Sequence, residues 1–241
     1  MKRFLVFFLF ISSISSFGQK IDSVRFHKMV ANKFAANDLS AVFKSDPEDI
    51  VGFIGDNYQR IQIYYSSITK DKKNTYLVKG KSMVKNNICN FSGTIVIMNV
   101  TESETIADTS FIFSLDTIRE CSANAHYCFK EDSAQKYSGI FEGDITSQFY
   151  IDRFYKVHLD DLEEEADGYS NNQFQGTWTS YDKKLKKKCN WGDKRIPDCG
   201  DLDIGTGEFI PGDKYKNNGW ESYCWSCTDE EAEKNNVEWW K

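Results

Sequence analysis

The pattern of apolar and polar positions changes period near residue 60. Before it, apolar positions group as they do on helices. Asp38 to Phe43 fits a short helix. A better-marked one starts at Asp46, where Asp46 can cap, Pro47 suits the first helical position, and Glu48 and Asp49 lie at the positive helix end. Ile50, Val51, Phe53 and Ile54 supply its apolar face and Gly55 stops it. From Arg60 onward the period is two. RIQIYYSSI sets Ile61, Ile63 and Tyr65 against Arg60 and Gln62, and TYLVKGKSMVK sets Tyr76, Val78 and Gly80 against Lys79, Lys81 and Lys85. KDKKN at 70–74 reads as the polar loop between them. FSGTIVIMNV (91–100), SFIFSLDTI (110–118), IFEGDITSQFYI (140–151) and FQGTWTSY (174–181) continue as strands. No helical stretch of 10–15 residues separates them, which excludes βαβ units and favours antiparallel hairpins.

One pattern recurs. Phe91-Ser-Gly93-Thr-Ile95, Phe141-Glu-Gly143-Asp-Ile145 and Phe174-Gln-Gly176-Thr-Trp178 share F-x-G-x-(I/W). On a strand these three residues point to one face, so a glycine sits in the middle of an inward surface. It allows a sharp bend, or lets an aromatic ring lie over bare backbone. Repeated on several strands, this predicts an all-β fold: a strongly curved antiparallel sheet or closed barrel over 50–223. In one strand, Phe141, Gly143, Ile145, Ser147, Phe149 and Ile151 are expected inside, and Glu142, Asp144 and Gln148 outside. A lead-in with a short helix spans 19–49, and a Cys/Trp-containing tail spans 224–241.

The first residues set an address. Lys2 and Arg3 precede a continuous apolar run from Phe4 to Ile11, then small residues, with Ser16 and Gly18 placed for cleavage after Gly18. This is the pattern of a secretory signal peptide over 1–18, and the run is about half the ~20 residues a membrane span needs. An exported product, periplasmic or extracellular, is expected, beginning near Gln19 and without a transmembrane span. Of the 241 residues, 30 are Lys or Arg and 36 are Asp or Glu, a net charge of −6. Removing 1–18 takes Lys2 and Arg3 and no acid, so 28 basic residues then face 36 acidic ones, a net of −8. That balance argues against nucleic acid as a partner. DDLEEEAD (160–167) and KKLKKK (183–188) read as solvated loops or hairpin tips.

Export turns attention to the seven cysteines. Cys121–Cys128 and Cys189–Cys199 are expected as short loop closures, the second around the turn-rich segment containing Trp191, Gly192 and Pro197, with pairing of Cys189 or Cys199 to Cys224 or Cys227 of the tail as the competing arrangement. Cys89 reads as an unpaired, small apolar residue. Chemistry is sparse. His27, His126 and His158 have no metal spacing, and His126 beside Cys121 or Cys128 is weak ground for a nucleophile. Cys224-Trp-Ser-Cys227 lacks the βαβ context of redox work, and adding Cys189 and Cys199 does not give zinc-site spacing. Asp201, Asp203 and Glu208 leave calcium open as a hard-oxygen possibility beside the simpler reading of a polar turn. No cofactor is expected.

GFIGDNYQR (52–60), YLVKGKSMVKNNICNFSGTI (76–95), YSNNQFQGTWTSY (169–181) and KKCNWGDKRIPDCGDLDIGTGEFIPGDKY (187–215) together give the chain a likeness. It resembles a group of small secreted proteins of Bacteroidota-type bacteria that is functionally uncharacterised, so the likeness implies no catalytic residues. Gly176-Thr-Trp178 is also similar to the G-x-W of lipocalin- and avidin-type barrels, although in those it lies on the first strand. Two functions follow as expectations. The first is a non-catalytic binding or interaction domain for an unknown ligand or protein partner, with Trp178, Trp191 and Trp220 as candidate ligand-binding residues. The second is a carboxylate-dependent hydrolase acting on a glycan-like substrate, which requires two acids about 5–10 Å apart in a cleft.

Overall fold

The computed structural model describes residues 37–102, 119–152, 154–221, 223 and 238–241. Its strands are β1 (Ile50–Ile54), β2 (Gln59–Lys72), β3 (Thr75–Val84), β4 (Asn87–Glu102), β5 (Arg119–Glu131), β6 (Gly139–Ile151), β7 (Val157–Leu159), β8 (Asn171–Ser180) and β9 (Lys186–Asp193). All pairings between them are antiparallel. The order runs β5-β4-β3-β2-β1-β9-β8-β6, and β6 pairs back to β5, so one sheet curves into a ring. The short β7 pairs with β6 beyond the end of β8.

The alternating segments fold as their period dictates. On β6, Phe141, Ile145, Ser147, Phe149 and Ile151 are buried and Glu142 and Asp144 are exposed, while Gly143, expected inside, and Gln148, expected outside, are both half-buried. The recurring glycines fall where strands pass closest. Gly143 lies opposite Gly176. A Cβ on Gly143 would collide with the Gln175 carbonyl oxygen and stand 2.6 Å from the Gly176 Cα. A Cβ on Gly93 would stand 2.7 Å from the Phe129 Cα, and one on Gly80 would run into the Phe91 ring. Bare backbone at these points lets the sheet coil tightly and lets Phe91 cover it.

The ring has no hollow centre. Phe174 stacks on Trp191 with centroids 4.7 Å apart, and Phe91 stacks on Phe129 at 5.2 Å. Tyr127 lies edge-on to Trp191, and Trp191 donates its indole N–H to the Tyr65 hydroxyl at 3.0 Å. One end is plugged by Leu39, Val42 and Phe43, all fully buried in the same core. A second cluster forms on the outer side of β1, where Val51 and Phe53 meet Leu202, Phe209 and Trp220.

Several expectations change. Ile50–Ile54, expected as the apolar face of a helix, is instead β1, paired with β2 and β9. All five of its residues are buried, because one side faces the ring core and the other the outer cluster. An apolar run buried on both sides carries no period of two, and β-branched Ile and Val favour the strand. The 40–42 and 47–49 segments are turns, the first closed by Phe43 N–H to Leu39 O at 3.2 Å. The KDKKN loop narrows to Lys73-Asn74, because β2 runs on to Lys72. SFIFSLDTI at 110–118 lies outside the described residues, as do 1–18, His27, Cys224 and Cys227.

No disulfide joins any two of the described cysteines. Cys121 and Cys128 lie on the same extended strand, seven residues apart. That is roughly 23 Å of extended chain, far beyond the ~7 Å a bridge allows, and the odd spacing puts them on opposite faces. Cys189 faces the ring core while Cys199 belongs to the outer cluster, so the sheet itself separates them. The 189–199 turn is pinned instead by hydrogen bonds: Asn190 Nδ2 donates to Pro197 O at 2.9 Å, and Lys188 Nζ to Asp198 O at 2.7 Å. Cys89 is buried and unbridged.

Candidate functional site: the open mouth of the ring

An up-and-down ring sends alternate hairpins to the same end. Here the turns β1–β2, β3–β4, β5–β6 and β8–β9 surround the end opposite the plug. Between them lies a cavity of about 1060 Å³. Its floor is formed by inward positions near the strand ends: Ser82 and Val84 on β3, Glu131 on β5, Phe141 on β6 and Trp178 on β8. Its rim includes Lys85, Leu185, Lys186 and Lys187.

Glu131 organises the floor. It is the last inward position of β5 and is buried. Its Oε1 accepts from the Ser82 hydroxyl, and its Oε2 accepts the Gly139 N–H at 2.8 Å and the Trp178 indole N–H at 2.9 Å. Burial pushes its pKa above the usual glutamate range, while these three donors pull it back. With Nε1 tied to a buried carboxylate, the Trp178 ring is fixed in place at the edge of the cavity. Lys187, its partner on β9, holds its ammonium 6.0 Å from the ring centroid.

The cavity lining carries more cations than free anions at its rim, Lys85, Lys186 and Lys187 against Asp56. Among the described residues, no carboxylate lies within ion-pair reach of Lys85, Lys186 or Lys187. The acidic side chains on the lining are Glu131, already held by three donors, and Asp56, on the exposed β1–β2 turn. Exposed Tyr137 and Leu185 stand on two of the turns.

The structure does not bring the three tryptophans together. Trp178 meets the cavity. Trp191 is sealed inside the ring between Phe174 and Tyr127. Trp220 is buried in the outer cluster, where it donates to Tyr58 O at 2.8 Å. A ligand reaches neither of the last two without unpacking a core. Two of the three carboxylates considered for calcium, Asp201 and Asp203, are engaged by cations instead. Asp203 pairs with Arg195 at 2.6 Å and caps Gly205 N–H at 2.9 Å, while Asp201 meets Lys214 and Tyr215. No group of three metal-ligating side chains occurs among the described residues. His126 lies on the outer face of β5 with Asp144 Oδ1 3.0 Å from its Nδ1. Cys128 shares that face and its thiol pKa is raised by burial, so nothing there activates a nucleophile.

Glu131, Lys186 and Lys187 were not singled out as site residues from sequence. The signal for Glu131 is present: Cys121, Ala123, Ala125, Tyr127 and Phe129 alternate inward, and Glu131 continues that parity with a charge. The lysines read as a solvated run because strand β9 begins inside it.

No protein-family model, curated protein or solved structure matches the chain. The geometry of the mouth therefore carries the functional argument.

Proposed function

We propose that this is an exported, non-catalytic binding protein that seats a small molecule in the mouth of its ring. The observation that carries this reading is the fixed Trp178 ring, held by a buried glutamate at the floor of an open cavity. The cavity is as large as those that take drug-sized ligands. A ligand-contacting aromatic ring whose N–H is already satisfied needs no reordering on binding, which lowers the entropic cost of association. The solid interior of the ring confines the ligand to this end. Hydrolysis by paired carboxylates draws less support. Glu131 is enclosed by Ser82, Gly139 and Trp178, and Asp56 stands on an exposed turn.

The test is a fluorescence titration with the neutral aromatic amine N-phenyl-1-naphthylamine. Wild type is expected to bind at one site with micromolar affinity, and Trp178→Ala to weaken binding by about tenfold. Binding that ignores Trp178 would place the ligand elsewhere and end the proposal.

A further inference from the structure

The mouth carries a charge preference that size and aromaticity alone do not require. The whole chain is acidic, with a net charge of −6. Yet Lys85, Lys186 and Lys187 reach the same cavity from two different hairpins with no described carboxylate neutralising them. Lysines normally scatter or find acidic neighbours. Lys184 does so with Asp182 at 3.8 Å and Lys188 with Asp198 at 2.5 Å on the same hairpin and strand. The three at the cavity do not. The negative group at the floor does not compensate them, because its oxygens already face a hydroxyl, an amide N–H and an indole N–H. The resulting arrangement is amphipathic along its depth: Phe141 and Trp178 below, cations above.

We infer that the ligand is a small amphiphilic anion, with an aromatic or aliphatic body against the cavity edge of Trp178 and a carboxylate, sulfonate or phosphate held by the lysines of the rim. This rests on the binding reading above and narrows it to a chemical class. The acid group need not enter the dry floor. It stays at the rim, where a charge keeps part of its hydration and gains the field of the lysines that line the cavity, Lys187 foremost because it shares the inward face of β9 with Cys189 and Trp191. The apolar body supplies affinity, and the lysines supply selection against neutral and cationic analogues. The same chemistry is offered by a free amphiphile and by an anionic lipid in a bilayer. The probe and vesicle arms of the experiment separate the two sources.

The experiment compares two fluorescent probes of similar aromatic size, anionic 1-anilinonaphthalene-8-sulfonate and neutral N-phenyl-1-naphthylamine. Proteins are wild type, Lys186→Gln/Lys187→Gln and, as a control with the same charge change on the hairpin tip, Lys183→Gln/Lys184→Gln. A third arm floats the protein with vesicles of phosphatidylcholine containing phosphatidylglycerol. The anionic probe is expected to bind wild type about tenfold more tightly than the neutral one, and the cavity pair of substitutions to bring the ratio of the two affinities close to one. The control pair is expected to alter neither by more than about twofold. Equal binding of both probes, or equal loss in both lysine pairs, overturns the charge inference while leaving the binding reading intact. Failure of both probes removes the binding reading itself. Flotation with anionic vesicles together with no binding of the free anionic probe would overturn the inference in favour of surface attachment.

Discussion

Gly143 and Gly176 face each other where β6 meets β8, and there a side chain has nowhere to go. Gly143→Ala is expected to cost about 2–4 kcal/mol, because its neighbours are backbone atoms that cannot swing aside. Gly168→Ala, at φ 82° with no atom within 4 Å of the new Cβ, meets only backbone strain and is expected to cost about 1 kcal/mol. Urea unfolding of the two variants measures the difference; equal costs would contradict the close-approach account. Asp193 makes a second prediction at this scale. It is fully buried at the plugged end, accepts from Asn172 Nδ2 at 2.9 Å, and its Oδ1 has no partner among the described residues. Burial pushes its pKa up to about 7 from 3.8, with Asp49 adding to the rise and Ser45, Asn172 and Lys194 opposing it. The folded state thus prefers the protonated acid. Its contribution is full below pH ~4 and is lost as pH rises to about 7, a change on the order of 4 kcal/mol. Asp193→Asn is expected to remove that slope, so the variant gains on wild type between pH 4.5 and pH 8. Parallel stability curves across that range would show that Asp193 does not titrate as described.

At the scale of elements, the segment at 39–45 closes one end of the ring with Leu39, Val42 and Phe43, and Asn172 ties it to the sheet. Asn172 donates from Nδ2 to Val42 O at 2.9 Å and to Ser45 Oγ at 3.1 Å, and its Oδ1 accepts from the Ser147 hydroxyl at 2.6 Å. It holds this position with φ 44°, which asparagine tolerates better than most residues. Asn172→Ala leaves buried polar groups on β6, β9 and the plug without partners and is expected to cost about 3 kcal/mol or more. The loss should appear as faster amide exchange in 39–45 before the ring opens, and unchanged exchange there would argue that Leu39, Val42 and Phe43 hold the plug unaided. Which elements were legible follows from the same physics. β2, β3, β4, β6 and β8 each bury one face of large side chains, so the period shows. β5 buries Cys121, Ala123 and Ala125, too small to mark a face until Tyr127 and Phe129. β1 is buried on both faces and so imitates a helix. β9 begins inside a lysine run, where Lys186 and Lys187 line the cavity and add no apolar residue to mark a face. The recurrence of F-x-G-x, by contrast, exposes the curvature directly, because a glycine facing inward has a use only where strands crowd.

The whole molecule is a closed sheet with a solid centre, one plugged end and one open end. That division explains why the site was only partly visible from the chain. Trp178, Trp191 and Trp220 are alike as residues, and only closure of the ring tells that one meets a cavity while two are sealed. Lys85 and Lys186 are about a hundred positions apart, and only the order β3-β2-β1-β9 around the ring brings their turns to the same mouth. The Cys189–Cys199 expectation failed for the same reason: the sheet that separates inside from outside runs between them. The central claim is that this mouth, and no other surface, takes a ligand. Amide chemical-shift mapping of the ¹⁵N-labelled protein titrated with 1-anilinonaphthalene-8-sulfonate tests it most directly. The account predicts shifts concentrated at Gly55–Gln59, Lys85–Asn87, Glu131, Phe141, the Trp178 indole N–H and Leu185–Lys187. Shifts concentrated instead in the outer cluster around Leu202, Phe209 and Trp220, or spread evenly over the ring, would contradict it.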